Sequence, residues 1–307
     1  MRFGVLNFSI GPYERLAERW RRFEALGFDH ARIADDLLVP GYADFESWTL
    51  LAGLARETRR IQIGTLITTV RLRHPAFLAA QVLSLDHITG GGRVAVGIGA
   101  GEPEQNETLG VAPWQPDEVL RRLDEQAAVL SRLLRGDPVE HYGPFYPTRV
   151  KDVPLPTTRP RPPLIVAAHG RIGMRAAARY ADGWNCLGGQ PYGFGPKPAD
   201  QDGGRSLAGA VVETQHLSER LDEICAEVGR EPATLQRTIL AYRPQPDPFS
   251  STDAFDAYVG AYEEIGISSI TFYWPPIDHQ LQHREPSPGA QTRFERVVEE
   301  RVGGASS

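Results

Sequence analysis

From end to end the chain alternates short β-rich apolar runs with longer amphipathic stretches, which limits its fold more than any single motif does. The apolar runs are RFGVLNFS (2–9), FDHARIAD (28–35), IQIGTLITT (61–69), RVAVGIG (93–99), PLIVAAH (163–169), GWNCLG (183–188), QRTILAY (236–242) and SSITFYW (268–274). Helix-period stretches follow them at 13–26, 46–58, 75–88, 117–134, 170–180, 217–228, beyond Ser251–Asp253 and near 292–301. The local punctuation agrees. Gly27 ends the first helix, and Pro75 opens the third, where its missing N–H costs nothing. Asp117 is placed to cap the fourth helix, with Gly136 just past its end. Strands joined by helical crossovers pair in parallel with the helices outside. Eight such units predict an α/β chain closed into a (β/α)8 TIM barrel in preference to an open, doubly wound sheet. The spacing predicts a single domain over 1–307, with loop insertions after strands 4 to 6. One is 136–162, where PVEHYGPFYP suggests a small hairpin; the other is 188–214, Gly- and Pro-rich like a lid.

Composition narrows the partners. The net charge is −6, and the short Arg groups at 19–22 and 56–60 fall on predicted helices, so no basic stripe offers a footprint for nucleic acid. No apolar run approaches the roughly 20 residues of a membrane span, and MRFGVLNFSIG turns polar too soon for a signal peptide. Cys186 and Cys225 are the only cysteines and lack metal-ligand spacing. A cytoplasmic protein without disulfides is expected.

In such a barrel the active site gathers at the C-terminal strand ends. These hold Asn7 and Ser9; Asp35 and Asp36; Thr68, Thr69 and Val70; Ala100, Gly101 and Glu102; then His169, Asn185, Tyr242, Tyr273 and Trp274. His74, His87, His141, His169 and His216 sit on different elements, so no metal site is expected. No serine occupies a G-x-S-x-G elbow. With few acids and bases converging, a bound organic cofactor is expected to carry the reaction. In AAHGRIGMRAAARYADG, His169, Gly170, Arg171 and Gly173 either cradle a phosphate at a helix start or form an ordinary turn that needs glycine for steric reasons.

RVAVGIGAGEPEQN (93–106) resembles a dinucleotide loop, but its sixth position is Glu102, Pro103 follows, and a loop is expected through EQNETLGVAPWQP. That reading fails. The glycines are instead expected to let backbone lie close to a flat ligand, with Glu102 at the rim.

Three blocks, GFDHARIADDL (27–37), IQIGTLITTVRLRHPAFLAAQVLSLDHITGGGRVAVGIGAGEPE (61–104) and RPPLIVAAHGRIGMRAAARYADGWN (161–185), resemble the luciferase-like monooxygenase superfamily. SERLDEICAEVGREPATL (218–235) and YEEIGISSITFYWPP (262–276) add support. The resemblance covers nearly the whole chain, and R-H-P, L-D-H-x-x-G-G-R and G-x-G-A-G in that order are specific. It implies a barrel that binds FMN or the deazaflavin coenzyme F420, the ring in the mouth and the phosphate on the turn after strand five. A bulge at the end of strand three, often with a non-proline cis peptide, would back the ring at Thr69–Val70. The implied cofactor-binding residues are Asp35, Thr68, Thr69, Val70, Ala100, Gly101, Ala168, His169, Gly170, Arg171, Gly173 and Asn185.

Glu102 aligns with a site carboxylate of deazaflavin-dependent relatives. Several of these carry Asp-His after strand two, where this chain has Asp35-Asp36. Asp36 is the candidate acid–base group if burial near Glu102 raises its pKa; otherwise it is a solvated carboxylate or a turn cap. His169 stands where many relatives have glycine, so it modifies the phosphate site, contacts substrate or acts as a base. Arg71 and His74 of R-H-P are expected to fix the entry to helix three. The implied activity is hydride transfer between F420 and a small organic substrate. The alternatives are a two-component monooxygenase, using reduced FMN from a separate reductase, and a non-catalytic flavin-binding protein. Phe8, Trp114, Tyr192, Phe194, Tyr242 and Trp274 would line the substrate pocket, and a homodimer through helices near strands two and three is expected.

Overall fold

The computed structural model describes residues 1–37, 45–154, 158, 160–190, 206–274 and 288–303. Its first half runs β1 (Arg2–Asn7), α1 (Tyr13–Ala25), β2 (His30–Asp35), α2 (Ser47–Glu57), β3 (Gln62–Thr69), α3 (Pro75–Thr89), β4 (Val94–Gly99), α4 (Glu104–Thr108) and α5 (Pro116–Leu134). Then come β5 (Val139–His141), β6 (Thr148–Val150), β7 (Leu164–Ala167), α6 (Arg171–Tyr180), β8 (Gly183–Cys186) and α7 (Leu207–Glu227). The last elements are β9 (Gln236–Ala241), α8 (Thr252–Glu264), β10 (Ser269–Trp274) and α9 (Pro288–Arg301).

Eight strands close in the order β1-β10-β9-β8-β7-β4-β3-β2. Each pairs in parallel with its neighbours, so the chain is the (β/α)8 barrel its alternation predicts and not an open sheet. The period-two pattern of the strands divides the apolar side chains into two sets. One lies between barrel and helices: Trp20 of α1, fully buried there, donates from Nε1 to Asn7 Oδ1 at 3.2 Å, and Asn7 Nδ2 donates to Trp274 O at 3.0 Å. The other is small and lies inside the barrel: Leu6, Leu66, Leu187, Leu240 and Tyr242.

Within 136–162 the expected hairpin forms, β5 antiparallel to β6. One carboxylate fastens it to α5. Glu125 accepts from the amides of Phe145 (3.2 Å) and Tyr146 (2.7 Å) and bonds His141 Nε2 at 3.0 Å. Tyr146 then donates its hydroxyl to Val70 O, just past β3, at 3.0 Å.

Four local expectations change. The stretch after Gly101 is not all loop, because α4 opens at Glu104. Gln115, not Asp117, occupies the N-cap of α5; Asp117 and Glu118 fall in its first turn, where carboxylates favour the helix dipole. The second insertion ends earlier than expected. Ser206 caps α7 by accepting from Gly209 N, and the helix runs through 207–214 although Gly209, Val211, Val212 and Thr214 are weak helix formers. The rest of that insertion, 191–205, lies outside the described residues. Helix α9 begins at Pro288, four residues ahead of the expected Thr292.

The barrel is least regular where β3 meets β4. Thr65 pairs with Val96 and Thr68 with Ile98, so β3 carries one residue more than β4 across that interval, and the Leu66–Ile67 peptide is cis. The bulge therefore precedes Thr69–Val70, the place the resemblance gave it; Thr69 pairs regularly with Gly99. The G-x-G-A-G glycines also have a purpose within the sheet. A Cβ on Gly97 would come within 2.7 Å of Thr65 O, and one on Gly101 (φ +65°) within 1.8 Å of Thr69 Oγ1. On Gly99 it would sit 3.3 Å from the Ile67 side chain. They make room for β3.

Gly64, with φ +153°, makes an equally tight contact, and with backbone: a Cβ would fall 1.8 Å from Ala95 O. Denaturant unfolding of Gly64→Ala should show a loss of roughly 3–5 kcal/mol. Gly260→Ala in α8, where a Cβ meets nothing within 4 Å, should instead gain about 0.5–1 kcal/mol. Equal behaviour of the two variants would contradict this account of the β3–β4 seam.

Candidate active site

Asp35 ends β2 and is buried, while Asp36 follows the strand and is only half-buried. Asp35, 3% exposed, accepts from Thr68 Oγ1 at 2.8 Å and from Trp48 Nε1 of α2 at 3.3 Å, and pairs with Arg73. Arg73 also pairs with Glu46, the N-cap of α2, which accepts from the amides of Trp48 (3.2 Å) and Thr49 (2.7 Å). Asp35 and Thr68, expected at the cofactor, are engaged with each other and with the helix layer. Burial pushes the Asp35 carboxyl up, against the pull of Arg73 and Thr68. Asp36 is half-buried at the mouth, and its carboxyl is pushed up to about 6, first by burial and then by the charge of Asp35. Burial is the expected cause; the charge that adds to it is that of Asp35.

At the ends of β3 and β4 the backbone is pinned. Thr69 Oγ1 and Arg71 Nε both donate to Ala100 O at 3.2 Å, Val70 N donates to Gly99 O at 3.0 Å, and Arg71 also bonds Asn106. Arg71 therefore braces the loop after β4 and not the entry to α3. His74 does guard that entry, its Nδ1 accepting from Ala76 N at 3.2 Å.

Past β7, the neighbour of β4, Leu187 N donates to His169 Nε2 at 3.1 Å. This leaves the imidazole proton on Nδ1, and the protein around the ring lowers its pKa, keeping it neutral. Nε2 is thereby occupied and is not a free base. The glycines of the following turn divide between the two readings the sequence left open. A Cβ on Gly173 would meet Ala168 Cβ at 2.7 Å, a steric need. Gly170, the N-cap of α6, has nothing within 4 Å of such a Cβ, and no side chain caps the helix. Open amides at a helix start of this kind fit a phosphate. Arg171 is turned to α7, where it pairs with Glu227 at 2.6 Å. Asn185 stays inside the barrel, donating from Nδ2 to Thr238 Oγ1 at 2.9 Å.

The mouth is lined with rings. Phe8 stacks on Tyr273 at 6.0 Å, and Tyr242 lies 6.3 Å from Tyr273. Burial raises the Tyr242 phenol, Arg243 opposes it and Glu102 adds to it, which places both charges near that hydroxyl. Sequence reasoning missed Arg243, whose guanidinium lies 5.1 Å over the Tyr242 ring and whose φ is +48°, rare for a residue of this bulk. The signal was its place directly after the seventh apolar run. Trp274 is corrected: on β10 Tyr273 faces in, while Trp274 packs outside the barrel, 4.2 Å from Phe294 of α9. Trp114 covers the Arg122 guanidinium of α5 at 3.9 Å. Tyr192 and Phe194 lie outside the described residues.

A groove of about 440 Å³ between α1 and α9, with Phe23, Trp274 and Phe294 in its lining, lies outside the barrel and away from these groups. Among the described residues no cluster of His, Cys, Asp and Glu could hold a metal, and no helix is long and apolar enough to cross a membrane. The mouth thus joins an apolar floor, a carboxyl near neutral, a neutral imidazole and an uncapped helix start. It is equipped to move a proton beside a bound organic group.

Comparison with known proteins agrees with this geometry. Over 146 residues the chain is 36% identical to the phthiodiolone/phenolphthiodiolone dimycocerosates ketoreductase of Mycobacterium tuberculosis, a match covering 46% of this chain and 37% of the ketoreductase. The chain thus spans well under half the length of that curated relative. The F420-dependent glucose-6-phosphate dehydrogenase of Microbacterium testaceum is 28% identical over 305 residues, which is 96% of this chain and 83% of that protein. Among solved structures, an F420-dependent secondary alcohol dehydrogenase in complex with an F420-acetone adduct superposes with a TM-score of 0.76 at 17% identity, covering 100% of this chain and 99% of that one. The coenzyme F420-dependent tetrahydromethanopterin reductase of Methanopyrus kandleri gives 0.72 at 16%, with the same coverage; likeness at these identities speaks for the fold. The model of the luciferase-like monooxygenases matches residues 1–213, and the chain belongs to that family of oxidoreductases.

Proposed function

We propose that the chain is an F420-dependent oxidoreductase that interconverts a small alcohol and its carbonyl compound at the barrel mouth. The observation that carries this reading is Asp36, a half-buried carboxyl poised at about 6 where the strand ends converge. The full-length likeness to an F420-dependent dehydrogenase supports the choice of cofactor. Gly170 and the first amides of α6 would hold the phosphate, with His169 Nδ1–H beside them as a donor. The apolar floor of Leu66, Leu187 and Leu240 would back a flat ring. When bound, the cofactor supplies the hydride donor or acceptor. The chain's own residues handle the proton: Asp36 takes it from the alcohol oxygen in one direction and returns it to the carbonyl oxygen in the other. Phe8, Tyr242 and Tyr273 exclude water, and Glu102 assists at the rim near Tyr242. The exposed Phe77 (60%) and Ile88 (45%) on α3 support a homodimer through that helix.

Titrating cofactor-free protein with F420 and with FMN tests the proposal. Binding of F420 is expected; micromolar binding of FMN alone, with oxygen uptake from reduced FMN, favours the two-component monooxygenase instead. Gly170→Ala should weaken cofactor binding while costing about 1 kcal/mol or less in stability.

Asp36→Asn should lower turnover by about 10²-fold or more and leave cofactor affinity nearly unchanged. Alcohol oxidation needs the ionised carboxylate, so its rate should rise as pH climbs through about 6, and carbonyl reduction should fall over the same range. Stability follows the same sign. The folded carboxyl binds its proton more tightly than the unfolded one, so folding stability should decline between pH 3.8 and about 6, and Asp36→Asn should remove that decline. Glu102→Gln should reduce turnover more than affinity; an equal loss of both would place Glu102 in cofactor binding.

A further inference from the structure

We infer that Arg73 is a positioning residue that, by holding the Asp35 carboxylate ionised directly behind Asp36, governs how readily Asp36 takes and gives a proton. The inference rests on the assignment of Asp36 as the acid–base group. Arg73 is buried where four elements meet, its side chain 8% exposed. One end of its guanidinium binds Asp35 Oδ2 and the other Glu46 Oε1, while its carbonyl accepts from Gln126 Nε2 of α5 at 2.9 Å. Asp35 Oδ2 takes two further bonds, from Thr68 of β3 and Trp48 of α2. Every contact fixes where the Asp35 charge sits, and none of these groups reaches the mouth itself.

The charges explain why a cation is needed. Buried alone, Asp35 would favour its protonated form and compete with Asp36 for a single proton. Burial raises the Asp35 carboxyl overall; Arg73 and Thr68 oppose that rise, and their contacts with Oδ2 favour the charge on Asp35 and leave the exchanging proton to Asp36. Glu46 shares the guanidinium, so one cation faces two carboxylates and the cluster behind Asp36 keeps a net negative charge. Among the described residues, the other charged or titratable groups at the mouth are Glu102, His169, Tyr242, Arg243 and Tyr273, at the ends of β4, β7, β9 and β10.

The test is a carboxyl ¹³C NMR titration of the cofactor-free full chain labelled at aspartate, with Asp36→Asn identifying the signal. Asp35→Asn removes a negative charge and should move the Asp36 midpoint down by about one pH unit, tenfold in proton affinity. Arg73→Met removes a positive charge beside two carboxylates and should move the first proton uptake of the pair up by a similar amount. Arg73→Lys, which keeps the charge and loses the fork, should fall between Met and the native residue, and it carries the test if Arg73→Met does not fold. Shifts of the same sign in the Asp35 and Arg73 variants, or no shift in Asp35→Asn, overturn the inference. Opposite shifts combined with full turnover in Asp36→Asn would uphold the electrostatic coupling and refute the acid–base role of Asp36 separately.

Discussion

The backbones of β3 and β4 approach too closely for a side chain to stand between them, and the mouth is arranged around that seam. Gly64 accepts the Ala95 carbonyl on one side of it, while Gly97 and Gly101 accept Thr65 O and Thr69 Oγ1 on the other. The extra residue on β3 fits only because these positions carry no Cβ. Beyond the bulge, Thr69 and Ala100 are tied by hydrogen bonds to each other and to Arg71, and Val70 to Gly99 and Tyr146. This wall of the mouth is a consequence of strand packing at the β3–β4 seam.

Two adjacent aspartates illustrate how a strand end assigns tasks. Asp35 and Asp36 are chemically identical, yet the last residue of β2 is buried against the helix layer while the next is only half-buried at the strand's C-terminal end. The first is surrounded by Arg73, Thr68 and Trp48. The second is left partly open, with the first one's charge at its back. A carboxyl poised near neutral thus arises from burial and a neighbouring charge, without a histidine.

The barrel was legible because each strand and helix repeats its period and the punctuation agrees with it. The positions of Asp36, Glu102 and Gly170 at strand ends and at a helix start followed from the same alternation. What the sequence did not disclose were facts of orientation and partnership. Trp274 and Tyr273 are neighbours in one apolar run, and only the register against β1 tells which ring enters the barrel. The ion pair from Arg73 to Asp35 spans 38 positions, beyond the reach of any local pattern. The start of α7 was missed because β-branched residues and a glycine hide its first two turns, where tertiary packing overrides propensity. The glycines after β4 suggested a ligand because sequence shows that room is needed without showing what fills it.

The hairpin over α5 carries a final consequence. Glu125 is a main pin of that hairpin, and a Cβ on Gly143 would land 2.2 Å from Glu125 Oε1. Neither residue can change without the other. Over evolutionary time positions 125 and 143 should therefore vary as a pair, 18 residues apart and on different elements. The insertion outside the barrel is then held to its shape as strictly as a core strand, because Tyr146 at its far end holds the carbonyl of Val70 at the mouth.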